Sequence, residues 1–196
     1  RPVLALPTIN TLDALAERYD AILCDVWGVV HNGVTAWPRA HEALKRARQA
    51  GKTVVLITNA PRPRAQVLRQ LGSLGVPEDA HDDVITSGDV TRALIGEAPR
   101  RLFHIGTERD LTLFDGLDVE LVEEPEASAV VVTGPYDDET ETPDDYTDML
   151  RRIRARNLPM ICANPDIVVE RGDRLVYCAG AIARAYALLG GRTLIA

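Results

Sequence analysis

Along the first half of the chain, short runs of apolar residues alternate with longer stretches in which apolar positions recur every three or four residues. Residues 21–26 (AILCDV) and 53–58 (TVVLIT) have strand length and few polar interruptions, and they read as buried strands. Between them, Pro38 stands where a first helical residue would. Ala40, Ala43, Leu44 and Ala47 then share one face, and Gly51 ends the pattern. After Pro63, the spacing of Val67, Leu68, Leu71 and Leu74 predicts a second helix, and Ser87, an N-cap residue type, opens a third that runs towards Ile95. This alternation is the mark of βαβ units, so the fold class expected is α/β with a Rossmann-like parallel sheet.

From about Pro99 the texture changes. Strands are expected at 102–105, 119–122, 129–133 and 159–163. The helix expected over 142–156 is the best marked: Thr142 is its N-cap, Pro143 its first residue and Asp145 its capping-box acid, and Tyr146, Met149, Leu150 and Ile153 form its apolar stripe. Residues 167–170 and 174–177 flank Arg171-Gly172-Asp173, which reads as a hairpin with a three-residue loop. A helix over 181–189 and a strand from 193 complete the pattern, with no internal repeat.

Composition narrows the function classes. With 46% hydrophobic residues the chain is not disordered, and no apolar run approaches the ~18 residues of a membrane span. A net charge of −7 argues against a nucleic-acid partner, since that affinity comes from clustered positive charge. Cys24, Cys162 and Cys178 include no C-x-x-C pair, which points to a reducing, cytoplasmic compartment. His31, His41, His81 and His104 lack zinc-ligand spacing. Residues 3–6 are too short an apolar run for a signal-peptide core. Seven acids over 137–148, followed by Arg151, Arg152, Arg154 and Arg156, complement a helix dipole on a solvated face. Gly51-Lys52-Thr53 is no phosphate loop, because it precedes a strand where it should follow one. The Arg171-Gly172-Asp173 tripeptide is explained by the turn.

Two features remain, both at the carboxyl ends of expected strands, where open α/β sheets bind ligands. One is Asp25-Val26-Trp27-Gly28-Val29-Val30-His31-Asn32-Gly33, a carboxylate followed by a glycine-containing loop. The other is Thr58-Asn59-Ala60-Pro61-Arg62-Pro63, a hydroxyl and an amide at the next strand tip. Either alone is ordinary turn chemistry.

In this order and at this separation they resemble the haloacid dehalogenase superfamily. Motif I falls at 24–33 and motif II at Thr58-Asn59, and Cys162-Ala163-Asn164-Pro165-Asp166 resembles the "TNPD" signature of the class IIA capped hydrolases, which include nitrophenyl- and pyridoxal-phosphatase-like enzymes. The resemblance implies a core over 1–98, an inserted α/β cap over 99–171, and a return to the core over 172–196. It implies a Mg²⁺-dependent phosphatase acting on a small phosphorylated metabolite through an aspartyl-phosphate. Asp25 would be the nucleophile, and its carboxylate with the Trp27 carbonyl would ligate Mg²⁺. Thr58, Asn59 and loop N–H groups near Gly28 would hold the phosphoryl oxygens, while Asn164 and Asp166 would face the substrate. No membrane partner is implied, and exposed cap edges are compatible with a homodimer.

Three departures from the family pattern carry consequences. Trp27 stands where the commonest motif I has a second Asp, the general acid, whose contribution is typically ~10²–10⁴-fold. His31 is the nearest substitute. The D-x-W-G-V form of motif I nevertheless marks a subgroup of the capped class. Only two of the 22 basic residues are lysines, Lys45 and Lys52, and neither sits where the motif III lysine belongs. The acidic pair of motif IV is likewise not found after Thr58. Both motifs would follow residue 196, so the sequence reads as the N-terminal part of a longer protein, with negligible catalysis expected of these residues alone. Two other readings stay open: a catalytically weak protein of this fold that binds a phosphorylated ligand, and a dehalogenase-type hydrolase, which needs no Mg²⁺.

Overall fold

The computed structural model describes residues 9–171 and 174–196. The apolar run at 3–6 and the turn positions Gly172 and Asp173 lie outside the described residues. Contacts gather the chain into two compact units, Arg1–Thr58 with Leu68–Ile85, and Asn59–Val67 with Thr86–Ala196. These boundaries differ from the expected division at 98/99 and 171/172, because the helix opening at Ser87 and the C-terminal helix and strand cluster with the second unit.

The first unit holds α1 (Asp13–Ala16), β1 (Ala21–Asp25), α2 (Pro38–Gln49), β2 (Thr53–Thr58), most of α3 (Arg64–Ser73) and β3 (Asp83–Thr86). The strands lie in the order β1-β2-β3, and β1 and β2 are parallel, in register from Ala21 opposite Thr53 to Asp25 opposite Ile57. Their burial alternates. Val54, Leu56 and Thr58 are buried, whereas Leu23, Ile57 and Ile85 are 68%, 39% and 47% exposed. The apolar runs suggested strands covered on both faces; instead the period-2 exposure shows a sheet covered on one. Strand β3 had no sequence signal beyond two apolar residues between polar ends. It is tied in through Asp82, which precedes it: Arg48 donates to one carboxylate oxygen at 2.6 Å and the Val54 N–H to the other at 2.7 Å.

The second unit contains α4 (Ser87–Gly96), β4 (Arg101–Ile105), β5 (Glu120–Leu121), β6 (Ala129–Val132), α5 (Thr147–Ala155), β7 (Met160–Cys162), β8 (Val168–Arg171), β9 (Arg174–Tyr177), α6 (Ala179–Leu188) and β10 (Thr193–Ile195). Five strands form a parallel sheet in the order β10-β7-β6-β4-β5. Here both faces are covered. Phe103, Ile105, Val130, Val132, Met160 and Cys162 join Leu150, Ile153, Ile182 and Tyr186 in one core cluster, while Leu102, Ala129, Val131 and Ile161 join Ile95, Leu113 and Phe114 in another. Strand order reverses at β4, with β5 on one side and β6, β7 and β10 on the other. The loops leaving β4 and β6 therefore diverge, and such a switch point is where open parallel sheets form a ligand crevice at their carboxyl edge.

Local differences from expectation have local causes. The N-cap of α4 is Thr86, whose Oγ1 accepts from the Asp89 N–H at 3.0 Å, and not Ser87. Residues Pro143–Tyr146 form a 3₁₀ turn before α5, held at its start by the Thr142 N–H donating to Asp145 at 2.7 Å. Arg171 pairs with Arg174 across β8 and β9, so only two positions separate the strands where three were expected. No helix among the described residues is long and apolar enough to cross a membrane.

Candidate functional site

In the first unit, the register places Asp25 and Thr58 at the carboxyl ends of neighbouring parallel strands, Asp25 opposite Ile57 and Thr58 one residue beyond. Asp25 is exposed and Thr58 buried. One Asp25 carboxylate oxygen accepts from the Val26 N–H at 2.7 Å, which leaves the second oxygen for another partner. The following loop folds back on itself: the N–H groups of Val29, Val30 and His31 converge on the Val26 carbonyl at 3.3, 2.8 and 3.3 Å. Gly28, at φ +76°, makes that reversal. Of the loop N–H groups near Gly28 expected to hold phosphoryl oxygens, that of Gly28 itself donates to the His31 carbonyl at 2.7 Å. Among the described residues the neighbouring Trp27 N–H and carbonyl have no partner.

Trp27 lies at the motif position where an acid is usual, and its indole packs edge-on to His31 with ring centroids 5.5 Å apart. It also covers Gly33, where an added methyl would meet the indole at 2.5 Å. His31 is buried, and its Nδ1 accepts from the Gly33 N–H at 2.8 Å. The ring thus braces the loop, which explains its burial better than a role as proton donor does. Cys24 donates its thiol proton to the Asp25 carbonyl at 3.1 Å; burial and the Asp25 charge both push its pKa up, so it is a weak nucleophile.

In the second unit, the Asn59 amide donates to the Asp166 carboxylate, and the Asp166 N–H donates to the Asn164 side-chain oxygen at 2.9 Å. The three residues therefore form one polar chain beyond the end of β7. An amide has two N–H donors, so this bond uses one of Asn59's. The turn sits tightly on α6, because a methyl at Gly180 would lie 2.2 Å from the Pro165 carbonyl oxygen.

Sequence reading missed a second polar group in this unit, at the switch point. Asp110 is buried, and one of its oxygens accepts from the Thr107 hydroxyl at 3.0 Å and the Thr133 hydroxyl at 3.1 Å. With its proton given to Asp110, Thr133 accepts from His104 Nε2 at 2.9 Å. Burial lowers the His104 pKa, against the opposing charge of Asp110, so the imidazole is neutral. Gly106 is required beside it: a methyl there would lie 1.9 Å from the Thr133 oxygen. The available signal was polar residues at and just beyond the ends of two expected strands: His104, Thr107 and Asp110 for the first, Thr133 for the second.

Among the described residues no group of three or more His, Cys, Asp or Glu side chains could hold a metal ion. Asp25 and the Trp27 carbonyl are hard oxygen donors, and Mg²⁺ binds through one or two carboxylates while keeping several waters. That pair fits Mg²⁺ chemistry and would not suit a soft metal.

Comparison with known proteins agrees with this architecture. Residues 22–120 match a family of haloacid dehalogenase-like hydrolases. The structure is similar to a haloacid dehalogenase-like hydrolase from Brucella suis, at 65% identity and TM-score 0.93, covering 96% of this chain and 70% of that one. It is also similar to a p-nitrophenyl phosphatase from Archaeoglobus fulgidus, at 25% identity and TM-score 0.68, covering 90% and 67%. A third similar structure is the glycerol phosphate phosphatase from Mycobacterium tuberculosis in complex with magnesium, at 26% identity and TM-score 0.67, covering 92% and 55%. No curated protein matches the chain. Given the matched family segment and the Brucella relative, the chain belongs to the haloacid dehalogenase-like hydrolases.

Proposed function

We propose that this hydrolase cleaves a phosphate monoester of a small metabolite, with Asp25 as nucleophile. The observation that carries the reading is the exposed Asp25 carboxylate at one strand end, one residue out of register with the Thr58 hydroxyl on the neighbouring parallel strand. The second carboxylate oxygen would bond to phosphorus as the ester oxygen leaves with its electron pair and takes up a proton. Water would then attack the phosphorus of the aspartyl-phosphate, returning the carboxylate and releasing inorganic phosphate. Thr58, the second Asn59 N–H and the Trp27 N–H would hold the phosphoryl oxygens. Asp25 and the Trp27 carbonyl would hold Mg²⁺, which supplies neutralisation of the approaching anions.

In the same reading, residues 99–171 serve as a cap, and Asn164 and Asp166 contact the substrate. The similar phosphatases from Archaeoglobus fulgidus and Mycobacterium tuberculosis, named for nitrophenyl and glycerol phosphates, support the substrate class. The test is turnover of a phosphate-ester panel by the full-length protein with and without Mg²⁺: the unmodified enzyme is expected to release phosphate and Asp25→Asn to lose at least ~10³-fold. Equal rates in the two proteins would exclude the mechanism. Trp27 favours a second reading, a ligand-binding protein with little turnover. Tight calorimetric binding of a phosphate ester without phosphate release would select it.

A further inference from the structure

The stretch Asn59–Val67 follows β2 yet belongs to the second unit, and four bonds fasten it there. Asn59 donates to Asp166, the Gly88 N–H donates to the Ala60 carbonyl at 3.1 Å, the Arg64 N–H donates to Asp89 at 3.2 Å, and Gln66 donates to the Thr112 hydroxyl. Asp166 follows β7 and Thr112 follows β4, so the stretch runs along the carboxyl edge of the five-stranded sheet. Arg62 lies in its middle. The main chain there presses on the first turn of α4, where a methyl at Gly88 would stand 2.2 Å from the Arg62 carbonyl.

The Arg62 side chain is half-buried, and among the described residues nothing accepts a hydrogen bond from its guanidinium. Burial lowers its pKa, and Arg109 adds to that effect while Asp110 opposes it. Asp110 is nonetheless committed elsewhere. One oxygen takes the Thr107 and Thr133 hydroxyls, and the other stands 4.0 Å from Arg109 Nε. Arg109 in turn reaches Asp138 at 3.2 Å, and Arg171 grips the same carboxylate at 2.9 and 2.7 Å. Asp110, Arg109, Asp138 and Arg171 are thus engaged with one another or with neighbouring hydroxyls. A guanidinium drawn partly out of water without a partner is unfavourable, and a planar oxyanion is the group that satisfies its fork of donors.

We propose that Arg62 is the anchor of an oxyanion-binding site at the carboxyl edge of the five-stranded sheet, taking a carboxylate or phosphate of a small metabolite. The site is built from the second unit alone and needs no hydrolysis at Asp25, so failure of the phosphatase reading leaves it standing.

Succinate and inorganic phosphate are titrated separately by calorimetry into wild type, Arg62→Gln and Arg62→Lys, in Mg²⁺-free buffer held at constant ionic strength with chloride. At least one anion is expected to bind saturably to wild type, about ten-fold or more weaker in Arg62→Gln and less severely weakened in Arg62→Lys. In wild type the Arg62 Nε–H resonance should move with the same midpoint. Succinate alone binding identifies a carboxylate ligand, and phosphate alone a phosphate. No saturable binding, an unshifted Arg62 resonance, or equal affinity in a folded Arg62→Gln would each overturn the assignment. Should Arg62→Gln fail to fold, the resonance and the lysine variant decide.

Discussion

Trp27 and Gly33 form one packing device, in which an indole braces the loop after β1. The indole occupies the space over Gly33, whose backbone stands at φ +89°. Gly33→Ala would add left-handed strain and push a methyl into the ring, and should cost about 1–3 kcal/mol. Gly28→Ala, at φ +76° with open space around it, should cost less, since only the strain applies. Urea unfolding of the two variants measures the difference. Trp27→Asp restores a proton donor at the position next but one to Asp25, and should raise phosphate-ester turnover about ten-fold or more if that acid is what limits the rate. A folded Trp27→Asp with unchanged turnover would place the limit elsewhere. None of this loop geometry was legible from the sequence. The motif gave Asp25 its strand end, but that Gly28 spends its N–H on His31 depends on a reversal set by backbone angles.

At the scale of elements, the long periodic segments were read well and the short polar ones poorly. Helices α2, α5 and α6 announced themselves through stripes such as Leu44 with Ala47 and Leu150 with Ile153, which are buried in the structure. Strand β3 and the 3₁₀ turn Glu108–Phe114 did not, because four residues with two polar ends, or a seven-residue turn of mixed polarity, carry no usable period. The missed turn is where Asp110 ties the loops after β4 and β6 together, through Thr107 and Thr133. That tie has a titration signature. Folded His104 holds its proton less tightly than the ordinary value of 6.5, so the unfolded chain protonates first as pH falls. Stability should therefore decline as pH drops below about 6.5, towards the lower folded pKa. His104→Gln keeps an N–H donor and should flatten that part of the profile, as read by thermal unfolding between pH 7.5 and 5.5.

At the scale of the molecule, the two units differ in how completely their sheets are covered. The five-stranded sheet has a core on each face, while the three-stranded sheet leaves Leu23, Ile57 and Ile85 in contact with solvent. Apolar run length alone could not tell these cases apart, since a run such as 53–58 suits either environment. The family itself was legible because its motifs fall at strand ends. The grouping of residues into units was not, because it depends on contacts made far along the chain.

The stretch 59–67 bears on how this polypeptide can be divided. Sequence order would suggest a clean cut near residue 85, yet such a cut leaves on the N-terminal fragment a nine-residue arm, Asn59–Val67, whose hydrogen-bond partners Gly88, Asp89, Thr112 and Asp166 are on the other piece. Fragments 1–85 and 86–196 should thus recognise one another when expressed from separate messages. They should co-purify and enter a single peak in analytical ultracentrifugation, with Gly88→Val, which fills the space of the Arg62 backbone, weakening the pairing. The arm makes this hydrolase a split protein in waiting, in which complementation would report on the docking of one loop.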